Sequence, residues 1–276
     1  IKCYPRYLLL LAACLCSFSP FAQDVSLQPL ATYFTDVFDE GAAEITAYDR
    51  DGQRIFFVNS AAATVDVIDI SDPLAPALVN SLDCRPYGAA ANSVAVNNGL
   101  VAVAIENDDA QAAGRVVFFD TDGNYLNDVP TGALPEMLTF SSDGQIVIVA
   151  NVGEPDFDYL IDPEGSVTIV DVAAGAVNAA VKQVAFTDWN DRKMSLRNRG
   201  VRIFGNDGQQ TVAQDLEPEY IGLSGDDAIA YVSCQENNAI VVVDIEAAAV
   251  RDVLPQGYKD HAKGCIAGME FPLNEI

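Results

Sequence analysis

One passage, repeated four times with variations, limits what this chain can fold into more than any other feature of the sequence. Each copy is a short apolar strand, a tight turn and two further β-rich strands. The first runs through Glu44–Tyr48, the turn Asp49–Gly52, then Arg54–Val58 and Thr64–Ile70. The second is Asn92–Val96, the turn Asn97–Gly99, Leu100–Ile105 and Arg115–Asp120. The third is Glu136–Phe140, the turn Ser141–Gly144, Ile146–Ala150 and Ser166–Asp171. The fourth is Glu219–Leu223, the turn Ser224–Asp227, Ile229–Ser233 and Ala239–Ile245. A β-meander recurring at about 40–50 residues is the signature of propeller blades. The predicted fold class is all-β: a β-propeller with about four blades and one short helical insertion.

Turn chemistry supports the same units. Gly52, Gly99 and Gly144 fall 47 and 45 residues apart, at turns that need positive φ. Asp227 takes the equivalent place only 83 residues after Gly144, so the third unit carries an insertion, at about residues 182–212. Lys182, Arg192, Lys193, Arg197, Arg199 and Arg202 cluster there in an otherwise acidic chain. Asp191–Arg199 reads as one exposed helix, with Asn190 or Asp191 capping its start and Gly200 ending it. Such a helix either docks on the acidic body, captures an anion, or balances the charge of its own domain.

Charge excludes one broad class. Fifteen Lys+Arg against 40 Asp+Glu leave a net charge of −25, a surface that repels phosphate backbones, so no nucleic-acid partner is expected. The N-terminus reads as an export signal over residues 1–22: Lys2 and Arg6 precede an apolar run, Tyr7 to Cys16, too short to span a bilayer. Leu11–Cys14 also resembles a lipoprotein box, which makes Cys14 the alternative, lipidated residue. Export to the periplasm, the cell surface or the extracellular space follows, with residues 23–276 as the mature propeller domain. Of the six cysteines, Cys84, Cys234 and Cys265 would remain; they are widely spaced and form no Cys-x-x-Cys pair, so neither a zinc site nor a disulfide framework is expected.

Several phrases go further. Ala42–Ile45, Ala91–Val96, Gly153–Pro155 with Asp162–Ser166, Gly200–Phe204, Ala213–Tyr220 and Gln235–Ala239 resemble the choice-of-anchor I domain. That family of secreted or surface-attached β-propellers includes animal mesenchyme-specific cell-surface glycoproteins and bacterial members labelled alkaline phosphatase. The resemblance runs from about Leu27 to His261 and implies a propeller at a surface. It also implies that this chain is part of a larger, roughly seven-bladed ring, incomplete at its C-terminus. Leu27–Phe34 has strand composition and would latch onto the last blade of such a ring; with that blade missing, association between copies is expected.

The repeat geometry nominates a site. Glu44, Asn92, Glu136 and Glu219 each open the innermost strand of a blade, so they should ring one mouth of the central channel. Loops carrying Glu106 and Asp108, Glu154, and Glu236 should crowd the same face. These oxygens either gather a hard cation such as calcium or hydrogen-bond the backbone of the next blade. Asp49–Gly52 and Asp120–Gly123 lack the distal bidentate Glu of a calcium loop and read as turns. With His261 the only histidine, a His-rich zinc site is excluded and no catalytic residue is assigned. The expected function is binding of a surface protein or extracellular ligand through the acidic face. The rival is a metal-dependent phosphoesterase, working through acidic metal ligands in the manner of propeller phytases.

Overall fold

The computed structural model describes residues 27–258. Residues 1–22, expected to be a signal segment, with Cys14 among them, and His261 and Cys265 lie outside the described residues. The chain divides into Ile1–Leu30, of which residues 27–30 are described and carry no regular secondary structure, and Ala31–Ile276.

Sixteen strands form four sheets, each an antiparallel meander of four consecutive strands. The first sheet holds β1 (Thr46–Asp49), β2 (Arg54–Asn59), β3 (Thr64–Asp69) and β4 (Ala77–Asp83). The second holds β5 (Ala91–Asn97), β6 (Leu100–Ile105), β7 (Ala113–Asp120) and β8 (Tyr125–Ala133). The third holds β9 (Pro135–Phe140), β10 (Ile146–Asn151), β11 (Ser166–Asp171) and β12 (Ala180–Ala185). The fourth holds β13 (Tyr220–Leu223), β14 (Ile229–Cys234), β15 (Ala239–Asp244) and β16 (Ala249–Pro255). The first strands of successive sheets pack on one another in order, β1 on β5, β5 on β9 and β9 on β13, in the radial manner of propeller blades.

Strand patterning follows from this stacking. Val101, Val103 and Ile105 of β6 pack with Phe56, Val58, Val65 and Val67 of the first sheet. Ala102 and Ala104, on the opposite face of the same strand, pack with Val147 and Val149 of the third. A strand buried on both faces has no polar side to show, which is why β6, and β10 up to its last residue Asn151, are apolar. The fourth sheet differs. In β14 and β15 buried residues alternate with half-buried or exposed ones. Its far face carries Tyr220, Tyr231, Ile240, Val242 and Leu254, of which the two tyrosines and Leu254 are exposed.

The turns hold where sequence placed them, with one shift. Gly99 and Gly144 have φ of 80° and 73°, and Asp227, in the equivalent place, has φ of 55°. In the first sheet the left-handed residue is Gln53 instead of Gly52. The Asp227 carboxylate accepts a bond from Ser142 N at 2.8 Å, joining the turns of the third and fourth sheets. Asp49–Gly52 and Asp120–Gly123 are turns whose aspartates accept their own loop's amides.

Residues 27–34, expected to lack a sheet neighbour in this chain, pair with no strand; Tyr33 sets its ring 6.3 Å from Phe57, which points away from the second sheet. One local expectation is corrected. The inserted helix α1 (Lys193–Arg199) is amphipathic and not simply exposed, because Leu196 is buried in the core shared by the third and fourth sheets. A 3₁₀ turn at Thr187–Arg192 leads into α1. Asn190 Oδ1 accepts from Ala213 N and caps nothing in α1, while Gly200 ends the helix at φ 103° as expected. Arg192 and Arg197 lie 4.3 Å over the rings of Trp189 and Phe204, respectively, and Lys182 belongs to β12.

Candidate functional site

Antiparallel meanders return every second loop to the same end of the stack. The starts of β1, β5, β9 and β13 therefore share an end with the loops after β6, β10 and β14. Glu44 N donates to Val58 O and Glu219 N to Ser233 O, so both residues sit just before their strands proper, while Asn92 and Glu136 lie within β5 and β9. Asn92 Nδ2 donates to Glu106 Oε2 and to Pro135 O, both at 3.2 Å. Asn92 thus ties the second sheet to the third, which is the structural one of its two expected roles.

The carboxylates press on one another. Burial, then Glu106, Glu154 and Glu44, raise the Glu136 carboxyl above its ordinary range. Burial, then Glu236 and Glu136, do the same to Glu219. The structure thus brings six of the nominated acids into one electrostatic group: Glu44, Glu106, Glu136, Glu154, Glu219 and Glu236. Asp108 does not join it; it is exposed in the loop after β6 and is not among the charges acting on Glu136.

Sequence reasoning missed the strongest member. Glu217 is pushed up to about 8 by burial, then by Glu236, Glu154 and Asp215. The Glu217-Pro-Glu219 sequence was the available signal, since a proline between two glutamates holds both at the threshold of an inner strand. Its amide is held by Asn237, which is 3 % exposed: Oδ1 accepts from Glu217 N at 3.0 Å, and Nδ2 donates to Arg202 O at 3.0 Å and to Asp215 O. Asn237→Ala leaves three backbone groups unanswered and is expected to cost about 2 kcal/mol in urea unfolding. A loss under about 0.5 kcal/mol would mean that the loops hold without it.

Among the described residues, no three His, Cys, Asp or Glu side chains stand together in a way that could hold a metal ion. These acids are close enough to repel one another but are not gathered on one point. Cys84 and Cys234 are free and buried in different clusters; burial pushes the Cys84 thiol up to about 12 and Cys234 higher still, so neither is a ready nucleophile. No described helix is long and apolar enough to cross a membrane.

Comparison with solved structures finds a protein of unknown function from Desulfotomaculum acetoxidans at TM-score 0.54 and 10% identity, covering 83% of this chain and 61% of that one. A chain of a nidogen/laminin complex matches at TM-score 0.48 and 15% identity, covering 79% and 65%. A β-propeller domain from Myceliophteria thermophila matches at 0.49 and 12%, covering 79% and 58%. This chain spans less than two thirds of the length of each. No curated protein matches it. The family model for the choice-of-anchor I domain matches residues 44–268, starting later than Leu27 and running past His261, where the sequence reading had placed the two limits of the resemblance. With most of its length inside that match, the chain belongs to the choice-of-anchor I domain family.

Proposed function

We propose that this protein is an exported, surface-associated propeller module that engages a positively charged partner through its acidic mouth. The observation that carries this reading is the mutual repulsion of Glu44, Glu106, Glu136, Glu154, Glu217, Glu219 and Glu236, several of them half-buried. Like charges held at close quarters in a partly dry site cost folding energy, and a cationic ligand relieves that cost on binding. The four sheets belong to a larger ring of about seven blades, which would also cover the apolar far face of the fourth sheet.

The test uses the full chain and fluorescein-labelled polylysine, followed by anisotropy over a range of salt concentrations. Tight, salt-sensitive binding that falls at least about tenfold in a Glu44→Gln, Glu136→Gln, Glu219→Gln triple variant is expected. Equal binding by the triple variant would sink the reading. A parallel arm measures phosphomonoester hydrolysis and melting temperature with and without millimolar calcium. Turnover that needs calcium and is abolished by Glu136→Gln would replace the binding module with a phosphoesterase. A calcium-induced rise in melting temperature would return the ion to the mouth, since a ligand at 100 times its dissociation constant adds about 2.7 kcal/mol.

A further inference from the structure

Three loops meet beside the mouth around an open pocket of about 280 Å³. Tyr159 comes from the β10–β11 loop, Glu236 and Asn237 from the β14–β15 loop, and Arg202, Phe204, Gly205, Asp215 and Glu217 from the segment between β12 and β13. We infer that this cavity takes the guanidinium of an arginine side chain presented by a partner protein. The inference rests on the reading of the acidic mouth and names the group that is recognised there.

Four observations point to a guanidinium. First, the lining sets three carboxylates against one basic residue, Arg202. Asp215 is already occupied, because its oxygens accept from Phe204 N and Gly205 N at 2.8 and 2.7 Å. Glu217 and Glu236 stand side by side and share a hydrogen bond with each other, a pair that a forked cationic donor can bridge once it displaces the shared proton. Second, two of the lining residues, Tyr159 and Phe204, are aromatic, and Phe204, 52% exposed, already stacks with one guanidinium, that of Arg197 at 4.3 Å from its ring centre.

Third, a buried polar group behind the wall lacks an answer. Gln210 is 5% exposed, and neither its amide oxygen nor its nitrogen has a partner in the protein. Asp162, which stands beside it, makes no geometrically sound bond to it. A Cβ at Gly205 would fall 2.9 Å from Gln210 Oε1 and 2.3 Å from Asp215 Oδ1, so only a glycine leaves the space before these oxygens open. Fourth, the loop that supplies Tyr159 is bare and apolar beside it: Phe157, Leu160 and Ile161 of the β10–β11 loop are 99%, 82% and 56% exposed. Apolar side chains this bare, next to a charged pocket, suit a protein partner with apolar residues flanking the arginine. A bare metal ion would use neither the rings nor this loop, and no three of the acids stand together to hold one.

The test titrates the full chain with a capped leucyl-arginyl-phenylalanine tripeptide, and with analogues carrying lysine or citrulline at the centre, by isothermal calorimetry. The arginine peptide is expected to bind at least about tenfold more tightly than the citrulline peptide, with lysine between them. Glu236→Gln should lose about tenfold for the arginine peptide, while Arg202→Gln, which removes the competing cation, should gain affinity. The gain keeps the test sound if Glu236→Gln disturbs the loop. Equal binding of arginine and citrulline peptides, or affinities unmoved in both variants, overturns the inference. So does calcium binding that is lost in Glu236→Gln while the arginine peptide fails to bind. Polylysine binding separates the two levels: a chain that holds polylysine through the mouth but does not select arginine keeps the mouth reading and loses this one.

Discussion

Replacing Phe118 with alanine is expected to destabilise the protein by about 4 kcal/mol, the largest single effect foreseen here. Phe118 is 0% exposed and lies on β7, on the face turned toward the third sheet. It packs in one cluster with Val116, Leu138, Phe140, Val147 and Val149. Truncation removes the transfer free energy of a ring and leaves a void between two sheets. Those sheets are each fixed by their own hydrogen-bond ladders and so have little freedom to close the gap. Urea unfolding of the full chain checks it. A loss below about 1.5 kcal/mol would mean that neighbouring sheets slide together to fill the space, and that their packing is looser than core density requires.

The second large effect is pH-dependent stabilisation by Glu217→Gln. Burial and the facing charges of Glu236, Glu154 and Asp215 raise Glu217 from 4.5 to about 8, with Arg202 the one basic residue in the same cavity. The folded state therefore holds this proton more tightly than the unfolded chain does. Its contribution to stability is fully present below about pH 4.5 and is lost as pH rises through about 8. Glutamine keeps the shape and never ionises. Above about pH 8.5 the variant should be more stable than the parent by about 2 kcal/mol, after discounting for the side chain's partial exposure. Near pH 4 the two should be equal within about 0.5 kcal/mol. The difference reads Glu217 together with the charges coupled to it, Glu236, Glu154 and Asp215. Parallel stability curves across this window would show that Glu217 is not held in the environment its neighbours create.

The architecture was legible because it is written in local, repeated chemistry. Period-two or wholly apolar strands and Asp-Gly or Asn-Gly turns at spacings of 47 and 45 residues specify a four-stranded meander without any long-range information. The same repeat logic placed Glu44, Glu106, Glu136, Glu154, Glu219 and Glu236 at one end, because strand direction alone decides which loops return to a given face. It also left residues 27–34 without a sheet neighbour, and there Tyr33 finds the ring of Phe57.

What sequence alone determined is the fold class, the four units, the family resemblance and the end of the molecule where acid gathers. Tertiary structure decided which of those acids matter to one another. Burial is a property of several segments at once: Glu217 is driven up by a glutamate 19 residues ahead and another 63 residues behind it, on loops that only the stacked sheets bring together. The cavity of Tyr159, Phe204, Glu217 and Glu236 likewise has no signature in any one stretch of chain, since its lining comes from three separate loops. A repeat fixes directions and registers through nearest neighbours, whereas desolvation and charge repulsion depend on distances that close only when the loops are packed.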